Sequence, residues 1–349
     1  MNLKRKTAAI IAVVAMIGLG LTACSSSTSN GSHATSGKKL SVALAVNGAL
    51  GDQGFFDDAE RGMNQLKSEG HKTETLQASA TNPAQWKTNL ESISTGNWNL
   101  AVAGTAQMTD IVGEVAKEFP NQKFIVFDTV VNAPNVASIT YEQNQGSFLA
   151  GVLAGYATTD KASFPLSSAN KTVGIVGGED IPVINDFVVG FKAGVNAVDP
   201  KIKVLVSYVG GFSDPVEGYA QAKAMYAEGA DVVFQAAGGS GIGVLQAAKD
   251  ANKYAIGVDQ NQNAIQPGHV LASVLKHVGN SLVLAVDAAD AGKLKFGKTT
   301  EYGLANNGVG LDFDNNSNIV PAAIQKKIDG LIQEVIDGKI TVPHAPGAE

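Results

Sequence analysis

The 349-residue chain holds a single cysteine, Cys24. A lone thiol cannot build a disulfide framework or a multi-cysteine metal site. Histidine is scarce as well. The five residues His33, His71, His269, His277 and His344 fall in no HxH or HExxH spacing. A zinc centre or a histidine-assisted nucleophile therefore has almost no raw material. Positive charge is short: 26 lysines and arginines face 32 acids, a formal charge of −6. That is the wrong sign for a nucleic-acid footprint. Aromatics are only 6% of the chain, so two adjacent phenylalanines beside carboxylates, in "GALGDQGFFDDAERG" (48–62), stand out.

Residues 1–24 read as an address. Lys4, Arg5 and Lys6 precede an apolar run from Ala8 to Leu21, which is shorter than the ~20 residues that span a bilayer but suits a signal peptide. The run ends in Leu21-Thr22-Ala23-Cys24, similar to a bacterial lipobox, in which the cysteine is lipidated and becomes the new N-terminus. Residues 1–23 are thus expected to be a lipoprotein signal peptide and Cys24 the lipidation site. The polar, low-complexity stretch 24–39 is expected to be a flexible tether reaching roughly 20 Å. The implied location is the extracytoplasmic face of the cell membrane, held by acyl chains without a spanning helix.

From Leu40 onward, short β-rich runs alternate with segments of three- and four-residue apolar spacing, such as Trp86/Leu90/Ile93. This alternation predicts βαβ units and parallel sheets. The pattern repeats at an offset of 131 residues, which carries Leu40 to Lys171 and Asp128 to Asp259. "FIVFD" and "AIGVD" both end an apolar strand in aspartate. The expected fold class is α/β with two lobes, each a parallel sheet flanked by helices, and a ligand cleft at the hinge. The partition expected is 40–142 with 258–295 for lobe I and 143–257 with 296–349 for lobe II.

Ligands of open parallel sheets bind at the carboxyl ends of the strands. The turns there carry Asp52, Phe55, Phe56 and Asp57; Thr105-Ala106-Gln107; Asp128; Gly178-Glu179-Asp180; Gly211-Phe212-Ser213-Asp214; Gly238-Gly239-Ser240; and Asp259. Asp57 and Asp214 are equally readable as caps of the helices that follow, and Phe56 as a core residue next to an outward Phe55. "GGSGIG" (238–243) matches no phosphate-loop pattern, yet its backbone N–H groups can bond a polar ligand edge. One aromatic from each lobe can sandwich a flat ring, each stack contributing about 1–3 kcal/mol. Carboxylates can take N–H donors of a base and the hydroxyls of a ribose, and a lysine can bond sugar oxygens. Without an arginine cluster or P-loop, a phosphorylated ligand is disfavoured. The composite is a nucleoside.

These motifs resemble the basic membrane protein (Bmp/Med) lipoproteins, the purine-nucleoside receptor group of solute-binding proteins that feed ABC transporters. The resemblance runs from about Leu40 to Pro343. It is carried by "LGDQGFFDDAERGM", "QGSFLAGVLAG" (145–155), "VVGFKAGV" (188–195), "YVGGFSDP" (208–215), "GADVVFQAAGGSGIGV" (229–244), "YAIGVDQNQ" (254–262), "ASVLKHV" (272–278) and "IDGKITVP" (336–343). It implies a type I periplasmic-binding fold that captures a nucleoside and hands it to permease subunits. Asp52 would read the base, Phe55 would stack on it and Phe212 would supply the opposing ring. Asp259 would take the ribose hydroxyls, helped by Lys276 and the backbone at Gly238, and Asp128 is carried over with them. The family motif commonly reads D-x-S-F-N, whereas this chain has Phe56 in place of the asparagine; Asp57 is the candidate replacement. The implied protein is a monomer without cofactor, metal or nucleic-acid partner, and not an enzyme. A nucleoside hydrolase would carry a clustered calcium-binding D-x-D-x-x-x-D-D run, which is absent here. A sugar, nucleobase or signalling ligand on the same fold is the alternative.

Overall fold

The structure, a computed structural model, describes residues 39–348. The expected leader, Cys24 and the tether before Lys39 lie outside the described residues.

The first sheet is built from β1 (Ser41–Ala45), β2 (Lys72–Leu76), β3 (Leu100–Gly104), β4 (Lys123–Phe127) and β5 (Val136–Tyr141), with α1 (Phe55–Ser68), α2 (Pro83–Ile93) and α3 (Thr109–Glu118) between the strands. Helix α4 (Gln143–Thr159) leads to the second set. There β6 (Thr172–Gly177), β7 (Lys203–Tyr208), β8 (Val232–Ala236), β9 (Tyr254–Asp259) and β10 (Val270–Lys276) alternate with α5 (Pro182–Val198), α6 (Pro215–Ala227) and α7 (Gly241–Asp250). The chain closes with α8 (Val278–Asp290), β11 (Lys298–Tyr302), β12 (Val309–Asp312) and α9 (Ala322–Ile336).

Each sheet has six strands, ordered β11-β5-β4-β3-β1-β2 and β12-β10-β9-β8-β6-β7. All pairings are parallel except β10 with β12. Central strands such as β3 (LAVAG) and β8 (VVFQA) are buried throughout, as expected of strands covered by helices on both faces. The edge strands of the first sheet are polar: β2 reads KTETL and β11 reads KTTEY, both carrying lysine and glutamate toward solvent, which discourages further edge pairing. The predicted echo holds for four strands. Shifting β1 to β4 by 131 residues lands each within a residue of β6, β7, β8 and β9.

The expected partition needs correction at two places. Strand β9 runs through Asp259, and β10 lies beside it in the second sheet, so 258–276 belongs with lobe II. Only after β10 does the chain return, with α8 packing on α1. Strand β11 then pairs with β5 in the first sheet, so 298–302 belongs with lobe I. The reason is the repeat itself: each lobe first completes its five strands, and each sheet gains a short sixth strand only afterwards, β11 in the first and β12 in the second. The chain therefore passes between lobes three times, at 141–143, 276–278 and 302–309.

Helix α4 is buried around nearly its whole circumference. It reaches α5 at backbone distance, because a Cβ on Gly151 would collide with the Phe191 carbonyl and one on Gly194 with the Phe148 carbonyl. Ser147 Oγ donates to the Phe187 carbonyl at 2.5 Å across this seam. The pair forms a rigid wall behind the second half of the cleft.

Candidate functional site

A cavity of about 400 Å³ opens between the carboxyl ends of the two sheets, within the range of roughly 300–1,000 Å³ common for small-ligand sites. Seven of the expected site residues line it: Asp52, Phe55, Asp128, Phe212, Gly238, Asp259 and Lys276. Asp57 is absent from the lining.

The loop that opens α1 explains why. Asp52 folds over the helix start, accepting from the N–H groups of Gly54 (3.0 Å), Phe56 (2.9 Å) and Asp57 (3.1 Å). It thereby satisfies donors that the first turn of a helix leaves unpaired. Asp57 reaches backwards instead, with Oδ1 accepting from Gly51 N (2.7 Å) and Oδ2 from Gln53 N (2.9 Å). Asp52 is thus the cap and Asp57 the tie that holds the preceding turn, in which Gly51 and Gln53 have φ of 95° and 52°. Asp214, by contrast, caps α6 as read from the sequence, accepting from Val216 and Glu217 N–H. Burial raises Asp52 above the usual carboxylate range, although its backbone bonds pull the other way.

Phe55 and Phe56 meet edge to face with centroids 5.5 Å apart, and Phe55 also lies 5.6 Å from Phe127. Both line the cavity. Phe56 therefore does not turn away into the core; its ring covers Gly48, where a Cβ would meet it at 2.5 Å.

Asp128 and Asp259 end equivalent strands and share a left-handed backbone, with φ of 63° and 68°. In that conformation each leaves its strand and enters the cavity lining. Between them sits Lys276, the last residue of β10 and only 2% exposed. Its ammonium pairs with the Asp128 carboxylate across the lobes. It also lies 5.5 Å from the Phe55 ring, 5.1 Å from Tyr141 and 5.5 Å from Phe187, within cation–π reach. One lysine facing several carboxylates leaves negative charge in excess. Burial, with Asp52 and Asp128 nearby, pushes Asp259 up to about 8 even though Lys276 pulls it down. Burial raises Asp128 as well, against the pull of its ion pair.

Phe212 projects from the loop after β7. Its ring lies on Gly178, where a Cβ would collide with it, and its carbonyl accepts from Ser240 N at 3.2 Å. Ser240 Oγ accepts from Asp214 N (2.8 Å) and donates to the Gly211 carbonyl (3.2 Å). The two glycine-rich turns thus clip together and fix the ring, with Gly238 and Gly239 backbone beside it.

Two more contacts cross the cleft. Gln262, buried at the turn after β9, donates from Nε2 to the Gln53 carbonyl at 2.8 Å. Gln107 donates from Nε2 to Glu179 Oε1 at 2.8 Å. Gln107 and Glu179 both line the cavity; the sequence puts them on cleft turns but gives neither a role. Asn47, Phe56, Ile184 and Phe187 also line it. Phe187 reads from its spacing as a plain core position of α5, because periodicity reports a buried face and not what that face is buried against.

At the first crossing between lobes, Glu142 lies beside Glu301, Gln145 and the C-terminal His344. Gln145 Nε2 donates to Glu142 at 3.1 Å, and His344 Nε2 stands 3.3 Å from it. Burial and the neighbouring Glu301 push Glu142 up to about 7. One group of three potential metal ligands, Glu69, His71 and Asp287, comes together among the described residues. His71 Nδ1 accepts from Leu40 N at 3.1 Å, which puts the ring proton on Nε2 and leaves no nitrogen lone pair for a cation. No helix among the described residues is long and apolar enough to cross a membrane.

Comparison with known proteins adds a family, two relatives and one similar fold. A family model described as ABC transporter substrate-binding protein PnrA-like (Bmp) matches residues 39–345. The chain is 32% identical to "ABC transporter nucleoside-binding protein BmpA" of Lactococcus lactis subsp. cremoris, over 98% of this chain and 99% of that one. It is 30% identical to "Basic membrane protein A" of Borreliella afzelii, over 87% and 91%. In fold it is similar to an ABC transporter system solute-binding protein from Aeropyrum pernix K1, with a TM-score of 0.78 at 22% identity, covering 88% of this chain and 94% of that one.

Proposed function

The chain belongs to the Bmp family of ABC transporter substrate-binding proteins, with the two-lobe type I periplasmic fold, and from this premise we propose that its ligand is a nucleoside, with a purine base. Substrate-binding proteins of ABC transporters bind small ligands and work with permease subunits, outside the cytoplasm and at the membrane. The proposed protein is lipid-anchored through Cys24, acts as a monomer, and releases its ligand unchanged to the permease.

The observation that carries this reading is the composition of one cavity. It combines aromatic rings from both lobes, Phe55 and Phe56 on one side and Phe212 on the other, with a buried group of Asp128, Asp259 and Lys276. Rings on both sides suit a flat base. The charged group suits the vicinal hydroxyls and ring oxygen of a ribose, which donate to a carboxylate and accept from an ammonium. The named activity of the Lactococcus relative agrees with it. In this reading Asp52 acts by holding Phe55 and Phe56 in place, Asp57 by holding the turn before them, and the Gly238 backbone borders the ligand.

Closure follows from the same contacts. Asp128–Lys276, Gln53–Gln262 and Gln107–Glu179 join the lobes around the cavity, so a ligand that completes the cavity favours the closed state by hinge motion.

The test is titration calorimetry on refolded protein with guanosine, inosine, adenosine, cytidine, uridine, ribose and guanine. Submicromolar binding of a purine nucleoside with ribose silent is the expected result. Silence across the nucleosides, or release of free ribose from inosine, overturns the proposal.

A further inference from the structure

The cavity has two polar groups of different kinds. Asp128, Asp259 and Lys276 form the ionic one. Asn47, Gln107 and Glu179 form the other, and among the described residues no hydrogen bond joins the two. The second group is oriented from one end. Thr105 Oγ1 donates to Asn47 Oδ1 (3.3 Å), Asn47 Nδ2 donates to Gln107 Oε1 (2.7 Å), and Gln107 Nε2 donates to Glu179 Oε1 (2.8 Å). This relay fixes which way the Gln107 amide faces. Its oxygen is taken and one N–H remains on its nitrogen, while the Glu179 carboxylate keeps Oε2 and further lone pairs.

Two other candidates for reading a base edge are engaged or missing. All three hydrogen bonds of the Asp52 carboxylate go to its own helix start. Position 56, next along the same loop, is a phenylalanine, whose side chain offers no polar atom. We infer that Gln107 and Glu179 read the Watson–Crick edge of the base, and that their pattern favours guanine. The inference rests on the nucleoside proposal: with the ribose at Asp259 and Lys276, the base faces the other polar group.

The complementarity is specific. Guanine presents the acceptor O6 beside two donors, N1–H and N2–H. The free Gln107 N–H meets O6, and the two donors meet the Glu179 carboxylate. Hypoxanthine keeps the first two bonds and loses the third. Adenine presents N6–H beside the bare N1 lone pair. In the same pose N6–H meets the Gln107 N–H, donor against donor, and the carboxylate faces the N1 lone pair and C2–H with no hydrogen to accept. Leaving a polar group of a binding site unpaired is what discriminates strongly between ligands.

Guanosine, inosine and adenosine are titrated against the full chain in detergent and against Glu179→Gln and Gln107→Leu, with melting temperature as the control for folding. Wild type is expected to bind guanosine about tenfold tighter than inosine and more than tenfold tighter than adenosine, each lost hydrogen bond weighing about tenfold. Glu179→Gln is expected to weaken guanosine about 100-fold, inosine about tenfold and adenosine less than threefold. Gln107→Leu should weaken both 6-oxopurines about tenfold while preserving their order. Equal factors for all three ligands in Glu179→Gln, or wild-type preference for adenosine, overturns the inference but leaves a nucleoside receptor standing. Failure of wild type to bind any of the three overturns both.

Discussion

Lys276 of the second lobe is paired with Asp128 of the first, and Asp259 lies within the influence of the same ammonium. Among the described residues, the one buried cation of the cavity thus serves as a shared counter-ion for two strand-end carboxylates that the internal repeat places in equivalent positions.

Replacing it with a neutral side chain of similar length should reveal the dependence. Lys276→Met is expected to lower stability by about 3 kcal/mol at pH 8, the scale for removing one partner of a buried pair. Lys276 lowers the pKa of both carboxylates, so its contribution matters only where they are ionised. The loss should therefore shrink toward pH 5 as Asp259 takes up its proton. Urea unfolding at the two pH values measures it, and an equal loss at both would contradict the shared counter-ion.

Asp259 gives the opposite stability profile to an ordinary surface carboxylate. Its folded-state pKa of about 8 lies above the reference 3.8, so the folded state holds a proton that the unfolded state releases. That contribution is complete below about pH 4 and is lost as pH rises through 8. Asp259→Asn does not titrate, so its melting temperature relative to wild type should rise from pH 5.5 to 8.5, by roughly 2–4 °C per kcal/mol. The same substitution should weaken ribosides far more than free bases. A constant melting difference would remove the raised pKa; equal losses for base and riboside would remove the contact with the sugar.

Phe212→Ala should weaken purine nucleosides by about 1–3 kcal/mol, the contribution of one stacked base. The fixed loop around Ser240 predicts little change in melting temperature. Wild-type affinity in this variant would mean that the base does not lie on this ring.

Asp52→Ala should act through the helix start. The expected cost is about 1 kcal/mol of stability, as for a lost cap, together with a similar weakening of every nucleoside as Phe55 and Phe56 lose their support. A loss confined to one base would return Asp52 to direct base reading.

Glu142 is the hinge counterpart. Raised to about 7 by burial and Glu301, its protonated form favours the folded state, and this contribution fades as pH climbs from about 4.5 through 7. Glu142→Gln should flatten that part of the stability curve. An unchanged slope between pH 5 and 8 would place the titration elsewhere.

Much of the fold is legible in the sequence because the central strands are buried on both faces and read as continuous apolar runs. Strands β11 and β12 are not: KTTEY is polar at a sheet edge, and VGLD is only 4 residues long. Strand β5 (VASITY) interrupts its run with polar residues, and Ser138 Oγ bonds Val131 N in the turn before it. The site was legible at strand ends, where carboxylates after apolar runs need a reason. The sequence reading assigns the cap to Asp57 and the base to Asp52, since both precede or open one helix; the backbone geometry between them makes Asp52 the cap. Gln107 and Glu179 come from different lobes, and their contact across the cleft has no trace in local pattern.

The three passages of the chain between lobes constrain how the protein can be made. The first sheet lacks its β11 edge until Tyr302, and α1 lacks the α8 helix that covers it until Asp290. A nascent chain carrying only the first five strands therefore has an open β5 edge and an uncovered helix face, both prone to wrong association. Both sheets are thereby completed late and close together in the chain, by β11 (Lys298–Tyr302) and β12 (Val309–Asp312).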